Sequence, residues 1–334
     1  MANAVSSIKG SEENLLIQEQ LDKKEARKRL IGMIVPYLGL IFIFAFFSIV
    51  TKGKFLSPVN LENLVNQSFT LAIIAIGMAF VYAHGGTDMS IGAAVGCGQL
   101  ACALLIRGGA PLWLALVCCI IAAIASSSIV STIAQALNVP VFIGSMCVRT
   151  SLLGILQFVT IKGDVIIDYQ KYAFMNNATI KLAIMIGLFL IGLYLFDYTV
   201  CGKYSKAIGG NVITAVQAGV KSKKFVYIAF IFLGFCVGIS AIFSLFRLGK
   251  VTGTSGSGVE FNIMIAMALG GVPMTGGDKT RIISAIVGAI TVTFLVNGLQ
   301  VWGLDLATIN TVKGILFIII VALSYDRSEG KLIS

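Results

Sequence analysis

From residue 201 to residue 224 the chain reads CGKYSKAIGGNVITAVQAGVKSKK, the one long polar stretch between its apolar segments. Lys203, Lys206, Lys221, Lys223 and Lys224 stand in it without an acidic residue, and so basic a loop is expected on the cytoplasmic side of a membrane. Its pattern is also helical. Gly209-Gly210 reads as a flexible turn, Asn211 as an N-cap and Gly219 as a C-terminal stop. Ile208, Val212, Val216 and Val220 recur every fourth residue, giving the segment that contains Ala215 and Val216 one apolar face. A short helix projecting from a membrane body must bury that face against a cytoplasmic partner, its own protein or lipid headgroups.

Composition explains what this loop interrupts. The chain is 57% hydrophobic and only 12% charged, with apolar runs long enough to cross a hydrocarbon core of about 30 Å at about 20 residues each. Spans are expected near 31–50, 64–83, 89–106, 112–137, 140–161, 178–198, 225–246, 260–274, 281–300 and 306–325. Lipid satisfies no backbone polar groups, so the expected fold class is an all-α integral membrane protein of about ten transmembrane helices with a cytoplasmic coupling helix.

With the N-terminus inside, the inner segments hold fifteen Lys and Arg residues and the outer segments, Lys181 and Arg247 among them, hold eight. This asymmetry predicts a cytoplasmic N-terminal tail over 1–30, a membrane domain over 31–327 containing the loop 201–224, and a cytoplasmic C-terminal tail over 328–334. The basic cluster Lys23 to Arg29 precedes an apolar run too long for a signal core, so it reads as a tail before a first span. The expected location is the cytoplasmic, or inner, membrane, with the lipid bilayer itself as a partner. The net charge of +10 follows from the same asymmetry facing an anionic leaflet and requires no nucleic-acid partner.

Enzymatic chemistry is poorly represented. His84 is the only histidine and reads as structural. Gly276-Gly277-Asp278-Lys279-Thr280 departs from a phosphate loop, because Asp278 and Pro273 stand where that motif needs glycine. No catalytic, cofactor or metal residue is assigned on this chain, and any ATP with its Mg would be held by another. The seven cysteines fall almost entirely in apolar spans and read as small core residues.

Polar residues in the spans point to an interior. Asp88 and Ser90 lie in the junction Gly85-Gly86-Thr87-Asp88-Met89-Ser90-Ile91-Gly92, where either can cap the following helix. Asn66, Gln67, Gln99, Arg149, Gln157, Asn297, Asn310 and Lys313 sit in apolar surroundings, where such groups line a pathway or join helices. Lys313 is expected to face inward, toward a helix-end carbonyl or toward the pathway.

Three blocks carry a family resemblance: Gly85 to Gly92; Gly202-Lys203-Tyr204 through Ala207-Ile208-Gly209-Gly210-Asn211 to Ala218-Gly219-Val220; and Gly256-Ser257-Gly258-Val259-Glu260 through Ala268-Leu269-Gly270-Gly271. In that order they resemble the permeases of the ribose/galactose/xylose branch of ATP-binding-cassette importers, over about residues 31 to 327. The resemblance implies a ten-helix permease that pairs with a second copy of itself, receives a monosaccharide from an extracytoplasmic binding protein, and couples through its loop to a cytoplasmic ATPase. The basic residues Lys52, Lys54, Arg247 and Lys250 of the outer loops are then expected to meet the binding protein. Relatives often carry acidic residues after Gly-Gly-Asn, where this chain has Val212 and Ile213, so its docking is expected to rest more on apolar contact.

A nucleoside or signal-sugar permease of the same architecture would share these features. A stand-alone secondary transporter would need intramembrane carboxylates; by sequence, Asp88 and Glu260 fall at helix ends rather than mid-span.

Overall fold

A computed structural model describes residue 34 and residues 36–168 and 170–324; the expected tails 1–30 and 328–334 lie outside the described residues. The protein is a multi-pass, all-α membrane protein. Among the described residues, six helices are long and apolar enough to span: α2 (Pro58–Ala83), α4 (Leu112–Ala136), α5 (Val141–Thr160), α6 (Ala178–Leu193, continued by a π turn to Tyr198), α9 (Ser222–Leu248) and α11 (Ile282–Val301). Four shorter apolar helices accompany them: α1 (Pro36–Val50), α3 (Ile91–Arg107), α10 (Val259–Leu269) and α12 (Leu306–Ser324, apolar to Ile320). Two further helices, α7 (Val200–Gly210) and α8 (Val212–Gln217), occupy the basic loop.

Two boundaries differ from the expected spans. Helix α2 starts at Pro58 rather than near 64, because Pro58 suits a first helical turn and the Ser57 hydroxyl accepts the Asn60 N–H at 3.4 Å. Helix α10 is a half-span. It starts at Val259, about where expected, but its 11 residues cover only about 16 Å, since Gly270-Gly271 ends it before the apolar Val272 and Met274.

The core sits around α2 and α9, which pack against each other, α9 also against α4 and α2 also against α11. Residues 71–83 of α2 are all buried. By contrast α5 and α6 leave Phe142, Ile143, Phe158, Leu190 and Ile191 exposed, as an apolar surface facing lipid requires. A two-residue antiparallel ladder, β1 (Val165–Ile166) with β2 (Lys250–Val251), ties the segment after α5 to the end of α9. The seven cysteines are free; Cys102, Cys119 and Cys236 are buried, whereas Cys147 is exposed on α5 and is not a core residue.

Close approach of α9 to α4 depends on two glycines one turn apart. A Cβ at Gly234 would lie 2.6 Å from the Ile124 Cα, and one at Gly238 would lie 2.8 Å from the Ile120 Cα, both inside van der Waals contact with backbone. Gly234→Ala is therefore expected to lower stability by about 1–3 kcal/mol through overpacking. Gly154→Ala, where a Cβ meets nothing within 4 Å, is the control that leaves the melting temperature in detergent unchanged or higher.

Candidate functional site

The loop arm is built by local capping. The Thr199 hydroxyl accepts the Cys201 N–H and starts α7, and the Asn211 carboxamide oxygen accepts the Thr214 N–H at 3.1 Å and starts α8. Gly219, at φ 84, stops α8 while its N–H reaches the Val216 carbonyl and the Val220 N–H reaches the Ala215 carbonyl, the paired bonds of a Schellman end. Gly209-Gly210 forms the last turn of α7 rather than a flexible turn.

The apolar face divides. Ile208, Ala215 and Val220 are buried together against Tyr204 and Phe225, so Ala215 belongs to the arm's own small core and not to a free docking face. Val212, Ile213 and Val216 remain at least half exposed.

Gly209 joins this arm to the bundle. A Cβ there would stand 1.9 Å from the Ala83 carbonyl oxygen and 2.6 Å from the Gly277 nitrogen, and the Gly277 N–H itself donates to the Ala83 oxygen at 3.0 Å. Three backbones thus meet at one point: the end of α2, the end of α7 and the α10–α11 loop. Glycine is required there because any side chain would separate them.

Deeper in the bundle the polar residues pair across helices. Asp88 Oδ1 accepts both the N–H and the hydroxyl of Ser90 at 2.7 Å, so the Ser90 hydroxyl is spent on Asp88 and caps no N–H of α3. The Ser145 hydroxyl of α5 receives the Met89 N–H at 3.0 Å. One turn further along α5, Arg149 donates through Nε and Nη2 to Glu260 Oε1 at 3.2 and 2.8 Å. Glu260 is 1% exposed and Arg149 26%. The second carboxylate oxygen lies over Gly92, where a Cβ would be 2.1 Å away, beside the N-terminal end of α3 and its partial positive charge.

Lys313 faces inward, and its partner is a side-chain amide rather than a helix-end carbonyl: its Nζ donates to Asn262 Oδ1 of α10 at 3.1 Å. Asn297 exchanges two amide hydrogen bonds with Asn60, at 2.9 and 3.0 Å. Asn66 accepts from Lys181 at 2.8 Å, and Asn176 completes that contact. Lys181 is fully buried in the first turn of α6, beneath the 3₁₀ turn Ala173–Asn176, and is not an outer-loop charge. Asn310 is exposed on α12, one turn before Lys313. Sequence reasoning therefore missed Asn60, Lys181 and Asn262 and gave Glu260 no partner; the available signal was a polar residue within or just inside an apolar helix.

At the opposite end from the arm, Lys52 and Lys54 are exposed. Lys250 is exposed and paired with Asp164 at 2.9 Å. Arg247 lies in the last turn of α9, partly buried, and not in an exposed loop.

A family profile described as "Branched-chain amino acid transport system / permease component" matches residues 60–321. The ribose import permease protein of Bacillus subtilis is 27% identical over 320 residues, 93% of this chain and 99% of its own length. That of Haemophilus influenzae is 25% identical over 303 residues, 88% of this chain and 93% of its own. The D-allose transport system permease protein of Escherichia coli is 25% identical over 299 residues, covering 87% and 90%. No solved structure matches the chain significantly.

Because Glu260 is buried, removing Arg149 strands its charge. Arg149→Met is expected to cost roughly 3–5 kcal/mol, whereas Arg149→Met combined with Glu260→Met recovers most of that loss. Thermal unfolding in detergent of the single and the double variant checks this; equal stability of Arg149→Met and the native protein would contradict it.

Proposed function

The chain belongs to the family of branched-chain amino acid transport system permease components, and on that footing we propose that it forms the membrane pathway of an ATP-binding-cassette importer for a monosaccharide such as ribose. It is a transport subunit and not an enzyme. The observation that carries its coupling role is α8: capped at both ends, packed on its own arm, and leaving Val212, Ile213 and Val216 at least half exposed.

In this reading the arm lies in the cytoplasm with both chain termini, and the exposed edge of α8 inserts into a separate ATPase that holds ATP and Mg. The membrane is the cell's inner membrane. A second copy of the permease completes the pathway, and Lys52, Lys54 and Lys250 face a sugar-loaded binding protein outside. Asn66, Arg149, Asn297 and Lys313 hold the helices around the route, with Asp88 and Ser90 bracing the start of α3. Glu260 is a carboxylate of the kind that ion-coupled transport employs, but its charge is already matched by Arg149, which supports the ATP-driven reading.

Two variants separate docking from folding. Ile213→Glu places a charge on the exposed edge, where an unpaired charge in an apolar contact costs roughly 1–3 kcal/mol or more and lowers occupancy about tenfold or beyond. The expected result is a stable permease that no longer co-purifies with its ATPase and no longer supports uptake of radiolabelled ribose, allose or xylose. Ala215→Glu, inside the arm's core, is expected to reduce yield as well. Undiminished co-purification of Ile213→Glu would show that the ATPase docks elsewhere.

A further inference from the structure

The half-length of α10 places its first turn inside the bundle. Arg149 is about 12 Å along α5 from Val141 and about 16 Å from Thr160; Lys313 is about 10 Å along α12 from Leu306 and about 16 Å from Ser324. Both contact the opening turn of α10, Arg149 through Glu260 and Lys313 through Asn262. Between those two residues stands Phe261, 48% exposed. Glu260 and Asn262 point to opposite sides of α10, because neighbours on a helix are about 100° apart, so Phe261 is left on the open face with a polar pair on each flank.

One group beside this turn is out of place among acyl chains: the Arg149 side chain, hydrogen-bonded to the neighbouring Glu260, keeps 26% of its surface exposed at mid-span depth. Exposed hydroxyls and an amide occur on the same three elements, at Thr150 and Ser151 of α5, Ser257 just before α10, and Asn310 and Thr311 of α12. A partly exposed guanidinium at this depth faces water or protein. Arg149 keeps N–H donors beyond the two given to Glu260, and Asn262 keeps its amide donors while its oxygen receives Lys313.

A half-exposed aromatic ring between groups rich in hydrogen-bond donors matches the two-sided chemistry of a sugar. The axial C–H bonds of a pyranose or furanose carry partial positive charge and lie over the electron-rich ring face, while its hydroxyls reach outward to planar polar side chains. We propose that Phe261 is the stacking platform of a transient monosaccharide subsite on the translocation route, with Arg149 and Asn262 as the flanking hydroxyl-binding groups. The proposal rests on the sugar-importer reading and gives it a place of contact. Both partners of the ring are themselves anchored, Arg149 by Glu260 and Asn262 by Lys313, so the platform is rigid in a segment that glycines would otherwise leave free. The contact is one-sided and open, as a site that must release its ligand requires.

The test uses the complete importer, the permease with its own ATPase and binding protein in proteoliposomes, and compares the native protein with Phe261→Leu and Phe261→Tyr. Three quantities are read: uptake of radiolabelled D-ribose, D-allose and D-xylose, ATP hydrolysis stimulated by the binding protein, and melting temperature. Phe261→Leu keeps apolar bulk without a π face, so it is expected to lower sugar flux roughly threefold to tenfold with ATP hydrolysis and melting temperature retained. Phe261→Tyr is expected to restore flux. Native flux in Phe261→Leu, or equal loss of flux in both variants, would overturn the subsite while leaving the importer reading intact. Native protein that carries none of the three sugars would overturn the reading and the subsite together.

Discussion

Contact of three main chains at Gly209 is the constraint on which the rest of the molecule depends. The Ala83 carbonyl at the end of α2 accepts a hydrogen bond from Gly277 and lies against the Cα of Gly209. Backbone atoms have no rotamers, so this contact cannot yield by side-chain repacking as an ordinary core contact does. The arm that carries α8 is consequently seated on the most buried helix of the bundle and on the loop between α10 and α11. A push on α8 is delivered to those elements directly, which is the mechanical requirement of a subunit driven from outside the membrane.

A second constraint operates deeper, where each charge must be paired. Arg149, Glu260 and Lys313 are grouped around the first turn of α10, and each is matched by a partner from another helix. Gly92 lets the Glu260 carboxylate approach the start of α3. These pairs anchor a segment whose glycines free it from regular structure. The half-helix therefore has a fixed position, and the side chain it presents to the open face is Phe261. On the other side of the core, Lys181 is handled the same way, between Asn66 and Asn176.

Much of the fold was legible because crossing a membrane imposes length and polarity on each helix. The ten apolar segments, the caps at Asn211 and Gly219, and the inward direction of Lys313 all follow from local pattern. What was not legible depends on tertiary neighbours. Hydropathy continues through Val272 and Met274, so it could not show that α10 stops at Leu269. Lys181 stands near a span edge, and only the folded 3₁₀ turn above it reveals that it is buried. The pairing of Arg149 with Glu260 joins residues 111 apart in sequence, and no local signal connects them. For Ala215, the four-residue repeat identified an apolar face without telling which part of it the arm itself covers.

The most direct test of the central claim is a distance. Spin labels on cysteines at Gln217, the last residue of α8, and at Asp278, in the α10–α11 loop, occupy exposed positions on either side of the Gly209 contact, in a background without the seven native cysteines. Pulsed electron paramagnetic resonance of the assembled importer, without nucleotide and with ATP bound, reads how they move. If the backbone junction transmits motion as one unit, the separation changes by less than about 3 Å while the arm as a whole shifts. A change well beyond that would show the arm hinging away from the bundle and would contradict the account.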